Sequence, residues 1–490
     1  MTIDTKFKLL DQRRTKIVAT LGPASVNAET IGKLIEAGVN VFRLNFSHGT
    51  HEDHRTAYTL VRREASRRNA PVAILGDLCG PKIRVGEFEN GSIEIKAGEL
   101  VTVTTRDVKG VPGLIPSQFK ELARDAKVGS RILLDDGNLE LSVKEIKDSE
   151  LTCLVVAGGK LKNKKGMNLP GMDLNISAIT EKDRRDLQFA VEIGVDFIAL
   201  SFVRNAADVH ELRDLVRNCG GKYVQLIAKI EMPQALTDIG SILDAADGIM
   251  VARGDLGVEL PPETVPIAQN ELIDMGRRKS KPVIVATQMM ESMISAARPT
   301  RAEVSDVSNA VRAGCDAVML SAETASGMYP VEVVKMMDSI IRQTEAYFWH
   351  KDGFRYLSLN RGEGSTASLH EGMSKAISSL SRDLGVSAIA VLAEIGYSAR
   401  VVSSFRPSAP IVVLFPSEEI SRRGCLYWGV HPVVKPFVDE SRMRFITQDT
   451  VRTLGLAMGG RNILMLRGFN RNAEMNSPTI SVVPISDDDA

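Results

Sequence analysis

The chain has 490 residues, 44% of them hydrophobic and 25% charged, which is more than one ordinary core and suggests roughly three domains. Its 61 basic residues cancel its 61 acidic ones, so neither nucleic acid nor an anionic membrane is indicated as a partner. Five scattered cysteines without a C-x-x-C pair argue against a disulfide framework or a zinc site, and a start without an apolar stretch predicts a cytosolic protein, free of membrane spans.

From about residue 15, short apolar runs rich in β-branched residues alternate with helical patterns. The runs are Lys16–Gly22, Val39–Phe46, Val72–Asp77, Phe197–Val203, Gln225–Ile230, Gly248–Ala252, Pro282–Gln288 and Ala317–Thr324. Between them lie segments with helical spacing, such as Ala28–Ala37 and Asp208–Arg217. Parallel strands need crossovers and a barrel removes sheet edges, so eight such runs predict a (β/α)8 TIM barrel. An open doubly wound sheet built from the same strands is the alternative.

The third and fourth runs are too far apart for a loop. Between Arg84 and Ile179 the pattern turns to short alternating strands with turn glycines: Ser92–Gly98, Arg131–Asn138 and Leu151–Val156. This predicts a small β-barrel domain inserted at the strand-end side, placed to close over a site as a lid. After Trp349 the barrel pattern stops. Lys351–Ala367 reads as a linker, followed by a helix around Ser374–Leu384 and apolar runs at Ala388–Leu392, Ile411–Phe415, Asn462–Leu466 and Thr479–Val483, a third, α/β domain. The partition is 1–82 and 179–350 for the barrel, 83–178 for the lid and 351–490 for the C-terminal domain, whose acidic tail Asp487–Ala490 reads as a solvated end.

The predicted barrel strands end in polar residues more often than packing requires. Lys229 and Glu231 share one side of their strand, with Ile230 opposite. The next strand runs into Arg253-Gly254-Asp255-Leu256-Gly257, whose glycines suit a tight turn and a close-lying ligand. An acid, a base and a second acid thus converge at two strand mouths, the pattern of a metal-assisted phosphoryl site. Strand two brings Arg43, Asn45 and Ser47 to one side, strand three ends at Asp77, and the last two end in Thr287 and in Ser321-Ala322-Glu323. Charge at that density is costly to bury unless it binds something. No G-x-x-x-x-G-K-[ST] or G-x-G-x-x-G loop is present, so phosphate would be held by arginine, lysine and metal. His48, His51 and His54 lie close in sequence, but H-x-x-H on a loop and helix start is weak evidence for zinc.

These motifs resemble the pyruvate kinase family. The resemblance runs from about Arg14 to the C-terminal domain and is carried by Thr15–Ala24, Arg43–Gly49, Lys229-Ile230-Glu231, Met250–Gly257, Ala286–Met293, Arg298–Glu303 and Met319–Ala325. It implies phosphoryl transfer from phosphoenolpyruvate to ADP, giving ATP and pyruvate, in a cytoplasmic homotetramer. It further implies that Glu231 and Asp255 hold Mg2+ or Mn2+, that Lys229 neutralises the transferring group and the enolate, and that Arg43 and Arg84 clamp phosphates. The main chain at Ala252, Arg253 and Gly254 would hold the substrate carboxylate, and Thr287 would stand near the carbon that takes a proton, its hydroxyl part of a water relay. Ser321 and Glu323 match rim residues, and His48 and Lys182 match positions near the nucleotide.

Two departures from the family pattern stand out. Members that need K+ bind it through groups matching Asn45, Ser47, Asp77 and the next residue, usually threonine, and carry glutamate where this chain has Lys82. Here Leu78 follows Asp77, and the Lys82 ammonium predicts activity without K+. In many relatives Leu392–Arg400 would bind a phosphorylated effector through hydroxyls. Here Ala393 and Ile395 replace them and only Ser398 is kept, and the segment around Met475–Pro478 is also unlike the usual pattern. The rival functions are a metal-dependent aldolase or lyase acting on pyruvate, and a non-catalytic relative. The first would not need the lid, Lys229 or both arginines. The second would have lost Lys229, Glu231 or Asp255.

Overall fold

The computed structural model describes residues 12–172, 176–352, 368–393, 395–435, 440–456, 461–468 and 476–485. Eight parallel strands close a barrel: Lys16–Thr20, Val41–Asn45, Ala73–Asp77, Phe197–Leu200, Gln225–Ile230, Gly248–Ala252, Val283–Ala286 and Ala317–Leu320, the last pairing back to the first. Closure decides against the open sheet. All eight apolar runs supply a strand, but five of them (Lys16–Gly22, Val39–Phe46, Phe197–Val203, Pro282–Gln288 and Ala317–Thr324) stop short of their predicted C-terminal ends. After Ala286 the chain enters left-handed conformations at Thr287 and Gln288, and after Leu320 it turns into the helix Ala322–Ala325.

Alternation sorts the strand residues into two layers. One set, including Ile17, Phe42, Ile74, Ile198, Ile230, Val251 and Val285, packs against the surrounding helices. The other, including Val18, Val41, Leu75, Phe197, Ile227, Met250 and Met319, fills the barrel. Followed toward the C-terminal ends, this inner set becomes polar: Val41 is succeeded by Arg43, Leu75 by Asp77, Ile227 by Lys229. The site is where the apolar filling stops.

The insert forms a six-stranded sheet and the hairpin-like pair Ser92–Ile95 with Gly159–Lys162. No ladder joins the two among the described residues, so the expected β-barrel is not one hydrogen-bonded ring. Both instead close on a shared core that includes Ile93, Ile95, Val103, Leu141 and Leu161. The C-terminal domain is a five-stranded sheet in the order Val430–Val434, Ile411–Phe415, Ala388–Leu392, Asn462–Arg467, Thr479–Pro484, with the last strand antiparallel. The helix expected near Ser374 begins earlier, at Leu369, where Ser368 and Glu371 form a capping box. The expected linker is corrected at its start, because Lys351 and Asp352 end the helix Pro330–Asp352. The rest of it, the acidic tail and Met475 lie outside the described residues.

Candidate active site

Lys229 is the hub of the barrel mouth. Its ammonium lies 2.8 Å from Glu231 Oε1 and 3.4 Å from Asp77 Oδ1, and it donates to Ser201 Oγ at 2.7 Å. Ser201 in turn donates to the Leu78 carbonyl at 2.7 Å. Burial disfavours the charged lysine, but the charges of Asp77 and Glu231 outweigh it and hold the ammonium above the ordinary lysine range. Burial likewise pushes Asp77 up, yet Lys229 and Arg43 together pull it below the usual carboxylate range.

Arg43 reaches Asp77 Oδ2 through Nε at 2.6 Å and donates through Nη1 to Thr20 Oγ1 at 3.1 Å. Its side chain is only about a tenth exposed, and both atoms are spent on aiming the fork. Glu231 Oε2 accepts the Phe202 N–H at 2.8 Å, a contact made by placing Phe202 at φ 54°, which a bulky residue rarely adopts. Burial pushes Glu231 up, and the like charge of Asp255 adds to it against the pull of Lys229. Glu231 and Asp255 are thus two carboxylates near enough to repel each other. Such a pair suits a hard divalent cation, held by one or two carboxylates with its remaining positions left to substrate and water.

Arg253-Gly254-Asp255-Leu256-Gly257 corrects the expectation of a tight turn. The segment opens the short helix Arg253–Glu259, and neither glycine takes a positive φ. Gly254 N–H donates to Thr287 Oγ1 at 2.7 Å, and a Cβ at Gly254 would lie 3.4 Å from that oxygen. Main chain and threonine are thus drawn together at the site, with Ala252 buried just before them. A cleft of about 640 Å³ lies beside Asp255, walled by Phe202 and Met232 from the barrel and by Met167 and Leu169 from the insert. Asn168 of the insert donates to Glu259 Oε1 at 3.1 Å, tying the two domains at its edge.

The other expected residues divide. Lys182 donates to the Phe46 carbonyl and to Asp186, both at 2.6 Å, which sets it against the loop after strand two that carries His48. Arg84 instead donates to the Lys164 carbonyl at 3.3 Å within the insert. Glu323 is buried and accepts the N–H groups of Ser321 at 2.6 Å and Met290 at 3.2 Å, so it braces two strand ends rather than facing the rim. His51 pairs with Asp186 and His54 with the His48 carbonyl. Of the residues grouped for K+, Asn45 and Ser47 are half-buried and Asn45 accepts the Ser47 N–H at 3.2 Å. Leu78 packs into the helix-facing layer, and Lys82 lines the cleft with Asp255 and Glu259. Sequence reasoning missed Ser201, Phe202 and Asp306. Ser201 was signalled only by its inward parity, four residues after Phe197.

Profiles of the pyruvate kinase barrel domain and of the pyruvate kinase alpha/beta domain match residues 12–334 and 371–483. Pyruvate kinase 2 of Synechocystis sp. is 47% identical over 426 residues, 86% of this chain and 71% of that protein. Pyruvate kinase of Geobacillus stearothermophilus is 43% identical over 479 residues, 97% of this chain and 81% of that one. The crystal structure of a pyruvate kinase from Cryptosporidium parvum matches with a TM-score of 0.89 at 34% identity, covering 97% of this chain and 98% of the other.

Proposed function

Because the chain belongs to the pyruvate kinase family, it is a phosphotransferase that moves the phosphoryl group of phosphoenolpyruvate to ADP, giving ATP and pyruvate, and we propose that the charged cluster at the barrel mouth carries that step. The observation behind this reading is the Lys229 ammonium, kept charged between Asp77 and Glu231 at the edge of the apolar filling. A fixed cation there meets charge as it passes to the transferring group and then to the enolate oxygen, without reorganising when the charge arrives. Arg43 adds a planar fork whose Nε and Nη1 are already bound, leaving Nη2 toward the phosphate. Glu231 and Asp255 would hold Mg2+, or Mn2+ in its place. The ion would supply positive charge to the substrate oxygens. The main chain of Ala252, Arg253 and Gly254 would receive the substrate carboxylate and Thr287 would stand near the protonated carbon. His48, Arg84 and Lys182 would face the nucleotide, Arg84 only after the insert brings it inward. Glu323 and Ser321 act by bracing.

We further propose that the reaction runs without K+. Asp77 already lies between the cationic groups of Arg43 and Lys229, Leu78 turns into the apolar layer, and Lys82 brings a further cation to the cleft. Family membership also leads us to expect a cytoplasmic homotetramer and a phosphorylated effector near Ser398, which is buried in the first turn of the helix Tyr397–Ser404. A lactate-dehydrogenase-coupled assay with phosphoenolpyruvate, ADP and Mg2+, with K+ or with a bulky organic cation, tests both proposals. Equal rates support them. A rate only with K+ removes the role of Lys82, and a folded protein without either rate overturns the assignment of the site.

A further inference from the structure

Thr287 and Gln288 leave the seventh strand with φ of 70° and 52°. Left-handed geometry is costly for a β-branched residue and persists only where the surroundings impose it. Three contacts do so here. The Thr287 hydroxyl donates to the Ala286 carbonyl at 2.6 Å and accepts the Gly254 N–H at 2.7 Å. The Thr287 carbonyl accepts Arg253 Nη2 at 2.7 Å.

The same guanidinium is held from behind. Its Nη1 donates to Asp306 Oδ1 at 2.7 Å and, more weakly, to Gln269 Oε1 at 3.4 Å. Asp306 belongs to the helix Arg301–Ala313, and Gln269 to the helix Val265–Arg278. Arg253 is the first residue of the short helix that carries Asp255. One planar side chain therefore fixes the threonine backbone and the carboxylate helix to two outer helices, with bonds on both sides of the fork.

We propose that Arg253, aimed by Asp306, is a positioning residue for the reaction: it holds Thr287 left-handed so that its hydroxyl stays over the strand ends. This rests on reading Thr287 as the hydroxyl beside the carbon that takes a proton. Loosening the pair should then slow the proton step more than it weakens substrate binding. In that step the electron pair of the enolate C=C bond forms the new C–H bond with the incoming proton, while a lone pair of the enolate oxygen forms the pyruvate carbonyl. The reverse is readable as loss of pyruvate methyl hydrogens to solvent.

The test compares full-length wild type, Asp306→Ala, Asp306→Asn and Thr287→Ala. The readouts are kcat and KM for phosphoenolpyruvate, deuterium exchange into the pyruvate methyl group with Mg2+ and ATP present, and the crystal structure of Asp306→Ala. Expected for Asp306→Ala are an exchange rate and kcat lower by about tenfold and a KM within about twofold. Asp306→Asn keeps an oxygen acceptor for Nη1 and should recover most of the rate, which a loss of overall stability would not follow. Exchange at the wild-type rate in Asp306→Ala, with Thr287→Ala impaired, overturns the proposal. If Thr287→Ala itself exchanges normally, the reading of Thr287 fails separately. The Asp306→Ala structure then decides the positioning: Thr287 still near φ 70° overturns it, and a move to extended backbone supports it.

Discussion

Lys229 and Asp77 meet 3.4 Å apart although their strands are not neighbours. The strand Phe197–Leu200 runs between them, and the serine just past its end, Ser201, receives the ammonium over the gap. An ion pair that spans three strands links their ends, so the mouth of the barrel behaves as one charged unit.

Lys229→Met should leave Glu231 buried without its cation, which costs roughly 3–5 kcal/mol of stability. Arg43 still neutralises Asp77, so the deficit falls on Glu231. Lys229→Met with Glu231→Gln should regain most of the loss. Thermal unfolding of the two variants at pH 8 checks this, and equal Tm values would contradict it.

Ser201→Ala removes one of the groups that aim the ammonium while leaving its carboxylates in place. A hydrogen bond to a charged group is worth about 1.5–3 kcal/mol, and part of that is felt in the transition state. The expected result is a kcat lower by about tenfold with KM little changed, read in steady-state kinetics.

Lys16 donates to the Val430 carbonyl at the junction of barrel and C-terminal domain, where burial pushes it from 10.5 down to about 7. A lysine lowered on folding makes the unfolded chain bind more protons between those values, so stability should rise with pH from about 7 toward 10.5. Lys16→Met should flatten that rise. Tm measured from pH 7 to pH 10 in both proteins gives the comparison, and parallel curves would assign the slope to other groups.

Lys82→Glu should convert the enzyme to one stimulated by K+, because a carboxylate replaces one of the cations that line the cleft. Rates titrated with K+ in wild type and variant decide it. An unstimulated variant would place Lys82 outside the chemistry.

Much of this architecture was legible before any coordinates. The eight barrel strands are β-branched apolar runs, and alternation alone put Lys229 with Glu231 and Arg43 with Asn45 and Ser47. Strand ends were less legible, because Thr287 and Phe202 are held left-handed by tertiary contacts that local propensity opposes. Pairings across the barrel were not legible at all. Asp77 lies between Arg43 and Lys229, which come from two other strands, while Asp306 reaches Arg253 from 53 residues away. Glu323 shows the limit of a strand-end pattern, since its position fits the rim but its oxygens are spent on backbone N–H groups.

The most direct measurement is the rate of phosphoryl transfer from phosphoenolpyruvate to ADP by purified Lys229→Met beside wild type, with Mg2+ saturating and folding verified by circular dichroism. The account predicts a fall of at least about 100-fold in kcat, the scale of losing a preorganised charge at the reacting group. A folded variant within tenfold of wild type would contradict the central role given to Lys229.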